Sequence, residues 1–417
     1  MRSELPSGWQ ERTVGSLIDD GALMVSDGYR AKNRELGVPG LPFARAGNVN
    51  KGFDFRRADY LREQLVPLAG KKIAAGGDVV FTSKGTVGRF AFVAPTTPPF
   101  VYSPQLCFWR VLRREDLVPR FVYFWMSGNE CRRQFDALKG QTDMADYISL
   151  RDQRTITVTA PPVAEQTRIV AALGGLDDKI ASNRRLTDLS LASLSAAFRY
   201  RVSESDRAGW GATDLTDLTT IARFVNGRAF TKHANERGRP ILRIKELNND
   251  VTDATPLTDV EAHDDNIARH HDILFSWSGS LDIYRWHGPE SLINQHIFKV
   301  LPEDGFPAWF VVGWLREHMA EFQAIARDKA TTMGHIKREH LKGASVRIPP
   351  PGVLRDLDQM LSPLDAQIGA LAAETRTLEQ IRDALLPKLI SGEIRVPDTT
   401  DPEEVIGPAA EDAAAAA

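Results

Sequence analysis

Cysteine is almost absent: Cys107 and Cys131 are the only two in 417 residues, too few for a disulfide framework or a cysteine-rich metal site. Long apolar runs are missing too. None approaches the ~18 residues that a membrane span needs, and the opening MRSELPSGWQ lacks the apolar core of a secretory signal. A cytoplasmic protein with no membrane partner is the expectation. The usual marks of catalysis do not occur either. There is no G-x-x-x-x-G-K-[ST] phosphate loop and no H-E-x-x-H helix. The stretch 276–280 (SWSGS) lacks the leading glycine of a nucleophile elbow. No glycine-rich turn is followed by an acidic ribose-binding residue, so nucleotide or methyl-donor binding has no support. His270-His271 is the densest histidine cluster and reads as a loop pair, with no metal site or cofactor expected.

Net charge is low, at −3, but unevenly placed. Six acidic residues and no Lys or Arg fall in 398–417, which leaves 1–397 at +3. That balance is compatible with nucleic acid. The tail 397–417, acidic and ending in alanines, reads as disordered.

What the chain does have is a long internal repeat. The run 173–180 (LGGLDDKI) returns 188 positions on at 361–368 (LSPLDAQI), and Pro161-Pro162 returns as Pro349-Pro350. Upstream, 40–50 (GLPFARAGNVN) matches 238–248 (GRPILRIKELN), and 77–88 resembles 271–282. The period is far too long for a solenoid, whose units run ~20–50 residues. It describes a duplicated α+β globular unit followed each time by a helix. In the first copy, runs at 79–81, 90–93, 108–112 and 155–159 read as strands and 121–139 as one helix. In the second, 272–276, 297–301 and 344–348 read as strands and 309–327 as a helix. The segmentation is 1–160, first globular unit; 161–205, helix; 206–348, second unit; 349–396, helix; and 397–417, tail.

Beyond each diproline, apolar residues keep heptad spacing. Leu354, Leu357, Leu361, Leu364, Ile368 and Leu371 do so in one copy, and Ile169, Leu173, Leu176 and Ile180 in the other. One such helix cannot bury its seam alone, but two can pair, with Leu176, Ile180, Leu364, Ile368 and Leu371 as the seam. Gly174-Gly175 and Ser362-Pro363 are helix breakers. A bend is therefore expected at each, followed by long helices at 176–201 and 364–390. Each would span roughly 40 Å. Packed antiparallel, they would hold the two globular units apart.

The residues suited to nucleic acid lie on loops. Ser83, Lys84, Thr86 and Arg89 form a small-donor loop with two cations after a strand. Arg45 and Asn48 (with Asn50), and Arg243 and Lys245 (with Asn248), offer guanidinium, ammonium and amide groups for phosphates and base edges. Gln105 and Gln295 each precede a strand, and Ser276, Trp277 and Ser278 occupy the second copy's loop. The frame repeats while its tips differ, as two units reading different polymer sequences require.

Three segments together carry a resemblance: 5–18 (LPSGWQERTVGSLI), 161–180 (PPVAEQTRIVAALGGLDDKI) and 385–396 (LLPKLISGEIRV). In this order the chain resembles the specificity (S) subunit of a type I restriction-modification system over about residues 5–396. The second junction, PPPGVLRDLDQML, lacks the Glu165-Gln166 pair, which puts in question whether it makes the same partner contact. The resemblance implies two target-recognition domains, each reading half of a split double-stranded DNA sequence, with an antiparallel coiled coil setting the gap. It implies no catalysis in this chain. Partners would be two modification subunits carrying adenine methylation, joined in some systems by translocase and nuclease restriction subunits. Two other readings stay open: a scaffold whose heads bind proteins, and a non-catalytic recognition or scaffold subunit of another phage-defence methylation system.

Overall fold

β-branched and aromatic runs bounded by glycine and proline become strands in the computed structural model, which describes residues 5–49, 52–84, 87–138, 147–203, 214–328 and 334–397. Asn50, Thr86 and the tail from 398 lie outside the described residues. The chain divides into two units. One runs to Asp178 and resumes at Gln380; the other is Lys179–Glu379.

Among the described residues the first unit has nine strands: β1 (Gln10–Thr13), β2 (Leu23–Asp27), β3 (Gly40–Ala44), β4 (Asp59–Arg62), β5 (Val79–Thr82), β6 (Phe90–Phe92), β7 (Val101–Tyr102), β8 (Leu106–Val111) and β9 (Thr157–Ala160). They form a β1-β9 ribbon, a four-stranded sheet β2-β8-β5-β6 and a three-stranded sheet β4-β3-β7. β3 and β7 run parallel, with Phe43 opposite Val101. Phe100, Tyr102, Phe108, Val80 and Ala44 fill one core between strands. Asp78 is buried there and satisfied by Tyr102 Oη (2.7 Å) and by both arms of Arg110 (2.6 Å each).

The second unit repeats this plan with β10 (Asp214–Asp217), β11 (Ala222–Asn226), β12 (Arg239–Leu242), β13 (Leu257–Thr258), β14 (Ile267–Ala268), β15 (Ile273–Ser276), β16 (Asp282–Arg285), β17 (Ser291–Ile293), β18 (Ile297–Pro302) and β19 (Ser345–Ile348). The sheets are β10-β19, β11-β18-β15-β16 and β13-β12-β17-β14. The order matches strand for strand, and β12 and β17 again form the parallel pair. β14 is the addition. The duplication read from residues is therefore a duplication of topology.

Two expected helices are each divided. In place of 121–139 stand Pro119–Ser127 and Asn129–Leu138, and in place of 309–327 stand Ala308–Glu317 and Met319–Asp328. Gly128 makes the first break, where a Cβ would press to 3.2 Å on the Trp125 carbonyl.

The opposite correction applies to the long helices. They run unbroken as Val163–Phe198 and Pro351–Ser391, so the bends expected at Gly174-Gly175 and Ser362-Pro363 do not form. Packing outweighs propensity here. Proline costs about 3 kcal/mol in a helix interior, but Leu354, Leu357, Leu361 and Ile368 around it are all buried in one core, at roughly 1.5–3 kcal/mol each. Gly174 has a packing role: the Arg120 guanidinium lies 3.2 Å from where its Cβ would be and ion-pairs with Asp178 at 2.9 Å. Gly175 has only open space around it. Gly175→Ala is accordingly expected to stabilise the protein by about 0.5–1 kcal/mol through helix propensity, seen as a higher urea midpoint at unchanged slope.

The helices pair antiparallel. In the first unit Glu165 faces Arg395 and Asp177 faces Arg382 (3.2 Å). In the second, Asn183 Nδ2 donates to Glu374 (2.8 Å), Lys179 pairs with the same carboxylate (3.2 Å), and Arg184 pairs with Glu379. Of the expected seam, Leu176, Ile180 and Ile368 are buried, while Leu364 and Leu371 are half-buried. Each unit thus contains the first part of one long helix and the last part of the other. Among the described residues, no helix is long and apolar enough to cross a membrane.

Candidate nucleic-acid interface

In each unit four loop segments are stitched together where strands end. In the first, Ser83 N–H and Oγ both donate to the Gln105 carbonyl (2.9 and 3.3 Å), and Ile148 N–H donates to Ser83 O (3.2 Å). Ala46 N–H donates to Gln105 Oε1 (3.2 Å), which adds the loop after β3. The second unit makes the same stitches. Trp277 N–H donates to His296 O (3.2 Å), and Ile336 N–H to Trp277 O (3.1 Å). Ser103 N–H to Ala44 O (2.9 Å) has its counterpart in Asn294 N–H to Leu242 O (3.0 Å).

This frame sorts the expected contact residues. Exposed side chains are Arg45, Lys84, Arg89 and Gln105 in the first unit, and Lys245 and Gln295 in the second. Lys84 holds its ammonium 4.8 Å from the centre of the Tyr147 ring, and Arg45 lies over Phe43 while pairing with Asp59 at 2.8 Å. Such partly engaged surface cations exchange readily with phosphate, because an exposed pair is worth only ~0–1 kcal/mol.

Other expected residues belong to the frame rather than its rim. Ser83, Ser276 and Ser278 are buried. Ser276 Oγ accepts from Asp282 N–H (2.9 Å) and donates to Ser280 O (2.7 Å), so it holds its own hairpin together. Asn48 spends its amide locally, accepting from Arg45 N–H and donating to Asp54 O, both at 2.8 Å. Arg243 is clamped by Glu246, its Nε at 2.9 Å and Nη2 at 2.6 Å. Burial raises the Glu246 carboxyl, but the Arg243 hydrogen bonds and charge outweigh it and leave it below its ordinary value. Trp277 is half-buried, its ring tilted against those of His296 and Phe298. The position equivalent to Gln105 is His296, one residue beyond Gln295, because it is His296 whose carbonyl takes the stitch.

Sequence reasoning missed Tyr147, His296 and His335. Tyr147 and His335 bridge Lys84 and Ser278 respectively. The 188-residue offset maps Tyr147 onto His335, so the repeat held that signal.

The three segments of the resemblance meet inside the first unit. Arg395 clamps the buried Glu165 carboxylate through Nε (2.8 Å) and Nη2 (2.5 Å), at the first turn of helix Val163–Phe198. Gln166 accepts from Val118 N–H (2.8 Å) and donates to Pro161 O (2.9 Å). Arg168 Nε donates to Val396 O (3.1 Å). Gly392, with φ of 73°, lies against Pro6 and Trp9, where a Cβ would approach within 2.6 Å. Glu165 and Gln166, expected to meet a partner, are used internally.

A family model described as a type I restriction modification DNA specificity domain matches residues 6–189. The chain is 20% identical over 373 residues to the type I restriction enzyme MjaIX specificity subunit of Methanocaldococcus jannaschii, covering 81% of this chain and 82% of that one. It is 25% identical over 197 residues to the putative MjaX specificity subunit of the same organism, covering 44% and 45% of the two chains. The crystal structure of a type I restriction-modification system S subunit from M. genitalium matches 95% of this chain and 99% of that one, with a TM-score of 0.58 and 16% identity. At that identity, fold is what the two share.

Proposed function

We propose that the chain is a type I restriction-modification specificity subunit, a reading supported by the family model over 6–189 and by the relatives named above, and that it is a non-catalytic subunit reading a bipartite double-stranded DNA target. The head ending at β9 reads one half-site and the head ending at β19 the other. The paired long helices set the gap and carry two modification subunits, with restriction subunits joining where the system has them. The observation that supports this most is the stitched loop frame. It occurs twice with the same backbone bonds and carries different side chains at matching places: Lys84 and Ser278, Gln105 and His296, Tyr147 and His335. A constant frame with changed tips is what two readers of different half-sites need.

In this reading Arg45, Lys84, Arg89 and Lys245 neutralise phosphates and hold register, while amides and rings at the rim face base edges. Once one head is bound, tethering raises the effective concentration of the other at its half-site. Lys84→Ala is expected to weaken binding by a similar factor on every duplex and to lower the slope of log affinity against log salt by about 1. The measurement is a duplex titration at several salt concentrations with modification subunits present. Salt-independent binding of the unaltered complex would instead favour a protein-binding scaffold. Replacing 209–348 with the matching segment of another family member is expected to change one half-site only, as read by methylation mapping.

A further inference from the structure

His270 and His271, read above as a loop pair, are joined by a third ring. At the base of the β15–β16 hairpin, His271 N–H donates to Trp286 O and Trp286 N–H to Asp272 O, both at 2.8 Å. That pairing places His287 beside the other two, although it lies 16 positions on in sequence. His271 has a left-handed backbone, φ 69°. Consecutive side chains in extended backbone point apart, but here the His270 and His271 ring centres are 4.1 Å apart. His287 lies 4.9 Å from His270 and 5.3 Å from His271. One nitrogen from each ring can be chosen so that all three lie within 4.8 Å of one another.

Both ring nitrogens of His287 are shielded from water and have no hydrogen-bond partner among the described residues. A buried polar atom left unpaired is destabilising, so a ligand there has something to satisfy. Burial first, then the His270 and His271 rings and Arg285, hold His287 down to about 4. His271 is lowered by burial, His270 and Arg285. Arg285, the nearby cation, is answered by Asp365 at 3.0 Å. The His271 ring also packs on helix Pro351–Ser391 where Gly369 has no Cβ, which would otherwise come within 2.1 Å of it.

We propose that His270, His271 and His287 form a binding site for one divalent transition-metal ion of the zinc type. Imidazole nitrogens suit Zn2+, and three protein ligands leave a fourth position for water. At Zn–N distances of ~2.0–2.1 Å the nitrogens must close to roughly 3.4 Å of one another, a movement of about 1 Å per ring. A metal there joins the hairpin base to the loop before β15, beside the long helix.

The test is zinc titration calorimetry on the untagged full-length chain, with thermal unfolding followed against zinc concentration. One Zn2+ per chain is expected, with an unfolding midpoint that rises with zinc. His287→Ala and His270→Ala should each weaken binding at least tenfold. His270 is exposed, so its removal leaves folding intact and decides the matter even if His287→Ala unfolds. His233→Ala, an exposed histidine elsewhere, should bind as the parent does. Cobalt(II) should give visible bands of four-coordinate intensity in the parent and lose them in His270→Ala. Absence of zinc uptake by the parent, or equal uptake by parent and His270→Ala, overturns the proposal.

Discussion

Inserting one heptad after Asn183 and another immediately before Glu374 is expected to lengthen the gap in the methylated target by about three base pairs and leave both half-sites unchanged. These two side chains face each other, 2.8 Å apart, so paired insertions keep the antiparallel seam in register. Seven residues add about 10 Å of helix, and DNA rises ~3.4 Å per base pair. A heptad returns almost to the same helix face, with a drift of ~20°, whereas three base pairs turn the duplex by roughly 100°. A complex assembled on the altered protein should therefore methylate its new target more slowly than the parent complex does its own. Base-resolution methylation sequencing of a host carrying the modification subunits gives the result. Unaltered spacing, or altered half-sites at the old spacing, would remove the helices as the spacer.

Arg395→Ala is expected to have the largest effect on stability. Glu165 is almost wholly buried and Arg395 about half exposed. Removing the guanidinium leaves a buried carboxylate with its clamp gone. Breaking a buried pair costs ~3–5 kcal/mol, and the exposure of Arg395 brings the expected loss to about 2–4 kcal/mol. For a unit of this size that is roughly 5–15 °C in melting temperature. Arg395→Lys keeps the charge but not the two-pronged geometry and should recover only part. Equilibrium unfolding followed by a first-unit probe such as Trp109 and Trp125 fluorescence distinguishes the variants. A change under ~0.5 kcal/mol would mean the pair contributes no more than a surface one.

The heptad seam was legible because side-chain periodicity is local, and the duplication because its residues return 188 positions on, although only some of the strands were read. The unbroken helices were not. Gly174 costs helix propensity, but the reason it stays helical is Arg120, 54 positions earlier, lying across it. Around Pro363 the heptad spacing announced a buried seam, but not that burial of Leu354, Leu357, Leu361 and Ile368 in one core would outweigh the proline. At the loops, residue type correctly marked Lys84, Arg89, Arg45 and Lys245 as exposed cations. It could not tell Asn48, whose amide is spent within its own turn, from an amide free to read a base. Nor could it place His296 rather than Gln295 opposite Gln105, since that register depends on which carbonyl meets Trp277. His287 joins His270 and His271 only through a hairpin pairing, which spacing along the chain does not encode.

The division of the long helices between the units has a consequence for synthesis. Residues 179–379 form the second unit as one continuous stretch, whereas the first needs 380–397 to close. Chains grow at ~5–20 residues per second, so on the ribosome the earlier head waits for ten seconds or more while the later one is being made. Until residue 395 emerges, the Glu165 carboxylate keeps its hydration and Pro6 and Trp9 have no Gly392 to rest against. The half made first is thus finished last, and a ribosome that stalls before codon 395 releases a chain whose second unit has all its residues and whose first is still open.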